Sequence, residues 1–160
     1  MVCLKNNLEG YKMENKKNRI YISTLVIFWI TFAFFILVIS NIFVMNAIDQ
    51  FNRFLFFSSG IVLSCLGIAL IVLASKAKFN KISKAFFILT GASTAGIVVG
   101  SVLHNLAYAL FIKLFGEGFW AGMGDEPVFF ILATVVCPVA LLVGIIGSIV
   151  LIVKKKVIPK

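Results

Sequence analysis

Four long apolar runs, set apart by short polar stretches, dominate the chain. They extend over residues 21–44, 54–74, 85–112 and 128–153. At ~1.5 Å per residue, even a run of about 20 residues spans the ~30 Å hydrocarbon core of a bilayer as a helix. The first run is too long for the apolar part of a signal peptide, and no small-x-small cleavage pattern follows it. It therefore reads as a retained helix. The fourth contains Pro138, which removes a backbone donor and predicts a kink. The pattern predicts an all-α fold: an integral membrane bundle of four transmembrane helices in up-down order. A basic segment, 1–19, precedes the helical domain of residues 20–153, and a basic tail, 154–160, follows it.

The polar stretches give the orientation. Lys5, Lys12, Lys16, Lys17 and Arg19 precede the first run. Lys76, Lys78, Lys81 and Lys84 fall between the second and third, and Lys154, Lys155, Lys156 and Lys160 follow the fourth. Only Arg53 and Lys113 of the 15 cationic residues fall on the other side. All these loops are short, the regime in which lysine and arginine mark the cytoplasmic face. The expectation is that both termini are inside, in a prokaryotic cell (inner) membrane. The acidic residues lean the opposite way, with Asp49, Glu117, Asp125 and Glu126 outside and Glu9 and Glu14 inside. Met13 opens Met-Glu-Asn-Lys-Lys-Asn-Arg, a run typical of a prokaryotic start, so Met1 and Met13 stand as alternative starts.

Composition agrees with lipid as the solvent: 61% of the 160 residues are hydrophobic and 13% charged, against about a quarter charged in soluble domains. The net charge of +9 does not point to nucleic acid. The cations flank apolar spans rather than forming a patch on a soluble domain. Their expected partners are the bilayer itself and anionic lipid head groups at the cytoplasmic face. Cys3, Cys65 and Cys137 form no C-x-x-C and no metal-ligand spacing. Cys65 and Cys137 should lie at similar depth, as small buried hydrophobes.

Between helices in lipid, close van der Waals contact drives association, so small residues mark contact faces. Gly96 and Gly100 form a GxxxG in the third run, which also holds Gly91, Ala92, Ser93 and Ala95. Ala140, Gly144 and Ser148 recur at steps of four in the fourth, and Gly60, Ser64 and Gly67 punctuate the second. The first run is bulky, with Phe28, Trp29, Phe32, Phe34 and Phe35. Helices two, three and four are expected to form the tight unit, with helix one facing lipid or a protein partner. The GxxxG is expected to serve packing within the chain, with a homo-oligomer as the alternative.

One polar cluster stands out. The third run is longer than the core needs, and about 20 residues from Ala85 the outer boundary falls near His104. His104, Asn105 and Tyr108 lie there, and His104 and Tyr108 share a helical face. The tail from Leu106 to Phe115 extends the helix along the interface, with Phe119 and Trp120 completing an aromatic belt. Gly124-Asp125-Glu126-Pro127 reads as a helix start, with a carboxylate at the cap and proline in the first turn. Consecutive antiparallel helices would bring His104, Asn105 and Tyr108 to the depth of Asp125 and Glu126. The sharp reading pairs His104 with Glu126 in a proton- or cation-dependent role. The plain reading is an interfacial histidine that locks the hairpin. One histidine with two carboxylates could make a three-ligand site of the catalytic zinc type, but there is no H-E-x-x-H and no second histidine. No metal or cofactor is expected.

Function follows only in outline. With short loops, no catalytic motif and a bulky first helix, the chain reads as a structural or interaction protein that binds partners or lipid, rather than an enzyme. The layout resembles tetraspan folds of the MARVEL type in architecture alone, which implies no residue role. One alternative is an oligomeric transporter or channel subunit. Against it, no charge lies at the bilayer midplane and the halves show no repeat. The other alternative is a membrane enzyme using His104, Tyr108, Asp125 and Glu126 at the outer face.

Overall fold

Helices form wherever the apolar runs predict them, and they extend beyond them. The computed structural model describes residues 2–44, 51–120, 122 and 126–154, with side chains over 11–40, 58–120, 122 and 126–154. α1 covers Val2–Val44, α2 Phe51–Lys76 and α3 Lys81–Phe115. A 3-10 turn, Glu117–Trp120, follows. The last span, Pro127–Val153, is built from α4 (Pro127–Ile131), a π-helical turn (Leu132–Val136) and α5 (Cys137–Val153). Among the described residues there is no strand, and four helices are long and apolar enough to cross a membrane. That defines the class: a helical-bundle membrane protein.

α1 differs most from its apolar run. It is helical for 43 residues, about 65 Å at ~1.5 Å each, so the basic segment continues the helix instead of preceding it. α1 also does more than face outward. Thr24, Phe28, Thr31 and Phe35 recur at steps of four, three and four and are all buried, the seam of a helix that packs through its apolar run, while residues 11–19 are exposed. Phe28 is fully enclosed and meets Phe87 of α3 edge-on, ring centroids 5.3 Å apart. The opposite face, with Ile22, Val26, Trp29, Ile30, Ile36 and Leu37, is exposed. The expectation that α1 stays outside the tight unit holds for that face only.

α3 is the centre of the bundle. It packs against α2 on one side and the last span on the other, and small residues let it do so. A Cβ on Gly67 would fall 2.6 Å from the Gly91 carbonyl oxygen, and one on Gly91 would fall 2.5 Å from that of Gly67. On the other side a Cβ on Gly144 would fall 2.9 Å from the Thr90 backbone nitrogen. Contacts pair Phe86 with Gly147, Thr90 with Gly144, Gly96 with Cys137 and Gly100 with Ala133. Each step forward along α3 is matched by a step of similar length back along the last span, 14 residues in each over the four pairs, so the two run antiparallel. Gly96 and Gly100 thus both face the last span of the same chain. Ser148 is buried on that span's contact stripe with Ala133, Cys137, Leu141 and Gly144. Cys65, by contrast, lies on an exposed face of α2, and it and Cys137 are free thiols.

Pro138 explains the π turn. It has no N–H, and its ring would strike the carbonyl of Thr134 in a regular helix. The helix widens just before it, and the Cys137 N–H donates to the Leu132 carbonyl, five residues back. Other hydroxyls in the spans satisfy themselves locally, as apolar surroundings require. Thr24, Thr31, Thr90, Thr94 and Thr134 each donate to the carbonyl four residues earlier, at 2.7–2.9 Å. Ser148 differs: its hydroxyl is fully buried and has no hydrogen-bond partner among the described residues.

Candidate functional site

The predicted polar cluster lies where α3 outruns its neighbours. At 35 residues, α3 is about 52 Å long at ~1.5 Å per residue. It ends at Gly116, whose φ of +88° suits a residue without a Cβ. The Gly116 N–H closes the helix by donating to the Ile112 carbonyl at 2.8 Å, and the Phe119 N–H donates to Gly116 at 3.1 Å. The chain doubles back, and the 3-10 turn lays Trp120 against α3. Trp120 is buried, stacks on Tyr108 and directs its Nε1–H to the Tyr108 carbonyl at 3.4 Å. Phe111, Phe115 and Phe119 complete the group, with centroids 5.1–5.7 Å apart. The interfacial extension expected from the apolar tail is thus a continuous helix with its own aromatic cover.

Glu126 caps the last span. Its carboxylate accepts from the Val128 N–H at 2.8 Å and the Phe129 N–H at 3.0 Å, with Pro127 in the first turn. Pro127 needs no acceptor, so one side chain satisfies the next two exposed donors of the helix start. The carboxylate also lies where the helix dipole favours negative charge. Asp125, the other expected cap residue, lies outside the described residues.

His104 faces that cap from α3. Its Nδ1 lies 3.1 Å from the Glu126 carbonyl oxygen and 3.4 Å from a carboxylate oxygen of the same residue. Neither oxygen can donate when the carboxylate is ionised, so Nδ1 carries the proton in this contact. The Phe130 ring, one turn into the last span, lies 5.5 Å from the imidazole. Phe130 was not legible as part of the site, although its place four residues after Glu126 puts it on the cap's own face.

The cluster therefore divides. His104 and Glu126 come together. Tyr108 points the same way, one turn on, but is engaged by Trp120 instead of Glu126. Asn105 is exposed and donates from Nδ2 to the Ser101 carbonyl of its own helix at 2.8 Å. His104 is mostly enclosed and Glu126 buried. Among the described residues no three His, Cys, Asp or Glu side chains converge as metal ligands. Chemically, the pair can lock one helix to the cap of another. Glu126 already spends both carboxylate oxygens on backbone donors. Comparison with family models, curated proteins and solved structures finds no match, so no residue role is carried over from another protein.

Proposed function

We propose that this chain is a small four-span protein of a prokaryotic inner membrane, with both termini in the cytoplasm. We propose further that it works by binding partners or lipid rather than by catalysis. The orientation rests on the cations: Lys76, Lys78, Lys81, Lys84 and Lys154 gather at one end of α2, α3 and the last span, and the basic residues before Ile20 belong to the same side in an alternating bundle. An alkaline phosphatase reporter fused after Lys160 is expected to be silent. Strong activity there overturns the orientation.

The observation that carries the binding role is the closure of the His104 end. The His104 and Glu126 side chains are turned on each other and on the backbone, as in a hairpin lock. An acid–base site needs a group free to meet a substrate proton. Diethyl pyrocarbonate modification of the purified protein tests this. Slow modification of His104, together with specific proteins or lipids retained from native membranes, fits a binding protein. Rapid modification of folded protein indicates an open site and overturns the reading.

A further inference from the structure

A lipid-facing groove of about 440 Å³ opens at the lysine end of α3, lined by Lys81, Ile82, Ala85, Phe86 and Leu89. Its volume is within the roughly 300–1,000 Å³ typical of small-ligand sites. The lining residues recur at one, four, five and eight positions from Lys81, so they form one stripe down the first turns of α3. From Lys81 to Leu89 the stripe descends about 12 Å at ~1.5 Å per residue. One wall is rigid, because the Phe86 ring lies directly on Gly147, which has no side chain to hold it off.

The charge around this groove is one-sided. No carboxylate occurs between residues 50 and 116. Lys84 is engaged, its Nζ donating to the Ser75 carbonyl at 2.7 Å. Lys81 is exposed at the rim and carries no ion pair to a described carboxylate. The antiparallel register that pairs Phe86 with Gly147 brings Lys154, also exposed, to the level of the α3 start. A cationic rim above an apolar descent matches an amphiphile with an anionic head and a hydrocarbon tail. Basic sites at the cytoplasmic ends of helices recognise such head groups.

We propose that this groove holds one anionic phospholipid, its phosphate at Lys81 and Lys154 and one acyl chain along Ile82, Ala85, Phe86 and Leu89. Placing that lipid in the cytoplasmic leaflet rests on the orientation proposed above; the groove itself does not. The test uses the full chain in nanodiscs of equal phosphatidylcholine and phosphatidylglycerol, whose two leaflets are alike, so a wrong orientation leaves the result unchanged. Native mass spectrometry then counts the lipids that stay bound on release. One phosphatidylglycerol should be retained, with roughly tenfold preference over phosphatidylcholine. Lys81→Gln should lower that preference several-fold. Ala85→Trp keeps every charge but fills the groove, and should abolish retention while circular dichroism shows the helices intact. Equal retention of both lipids overturns the proposal, as does undiminished phosphatidylglycerol on Ala85→Trp, which would mean diffuse surface attraction. Displacement of the bound lipid by millimolar inorganic phosphate also overturns it, because the site would then be one for anions and not for lipid.

Discussion

α3 meets its two neighbours through backbone, whereas α1 meets the bundle through rings. At the α2 crossing, Gly67 and Gly91 present carbonyl oxygens to each other's Cα, and at the last span Gly144 lies against the Thr90 main chain. α1 instead sets Phe28 against Phe87, and Tyr21 against Phe79 of the α2–α3 connection at 5.3 Å. Lipid tails are as apolar as phenylalanine, so neither contact gains much from leaving lipid; both depend on shape. The two shapes fail differently. A main-chain contact has no rotamer through which to yield, while a ring contact can relax around a smaller side chain at the cost of lost dispersion.

Gly91→Leu puts the strongest strain on this distinction. Its side chain must displace the backbone of α2, and the expected loss is more than about 3 kcal/mol, the upper end of overpacking effects. Thermal unfolding of the detergent-solubilised protein reads it. Gly100→Ile, whose Cβ would start 3.0 Å from that of Ala133, should destabilise the monomer in the same assay. A variant monomer of normal stability with a lost oligomer would place Gly100 at an interface between chains. Phe28→Ala should cost less, about 2 kcal/mol, because the packing part of a phenylalanine deletion remains while much of the transfer part disappears in lipid. If Phe28→Ala unfolds the protein as completely as Gly91→Leu, the two kinds of contact are not different in strength.

The same contrast explains what was readable in advance. The four helices follow from apolar length alone, and the small residues of α3 mark its contact faces because only they permit close approach. The buried seam of α1 was hidden because bulky apolar residues lie on every face of that helix's span, so hydrophobicity alone does not pick out the packed side. The seam's one sequence signal was Thr24 and Thr31, two hydroxyl residues seven apart that share a helical face with Phe28 and Phe35. At the candidate site, Glu126 as cap and its nearness to His104 could be read from antiparallel neighbours and the Glu-Pro pair. The return of Trp120 onto Tyr108 could not, since it depends on the angle of a chain reversal at Gly116, whereas Asn105 turns away simply because it is the next position round the helix from His104. The π turn has a local cause in Pro138, but whether a proline kinks a helix or widens it depends on the neighbours packed around it.

The His104 end adds a polar contact to the comparison, weaker than either apolar kind. Glu126→Ala removes the acceptor of two helix-start N–H groups and should cost about 1–2 kcal/mol. His104→Ala leaves that cap intact and should cost under about 1 kcal/mol. Chemical denaturation of both variants in one detergent separates the two roles. Equal losses would mean that the pair, more than the cap, holds the hairpin closed.

Ser148→Ala should have the smallest effect and the opposite sign. Ser148 sits on the same close-packed stripe as Gly144, where Gly91→Leu-type additions are forbidden, yet this change removes an atom. The hydroxyl is buried and lacks a partner, so its loss relieves an uncompensated polar group, while the Cβ that fills the contact remains. The expected result is neutral to about 1 kcal/mol more stable. The threonines on the facing helix provide the control. Thr90 and Thr94 donate to their own helix, and replacing either with valine should bring no such gain, because a made hydrogen bond is lost with the hydroxyl. A clear loss of stability in Ser148→Ala would show that the hydroxyl has a partner in the bilayer, and that this stripe is held by polar contact as well as by shape.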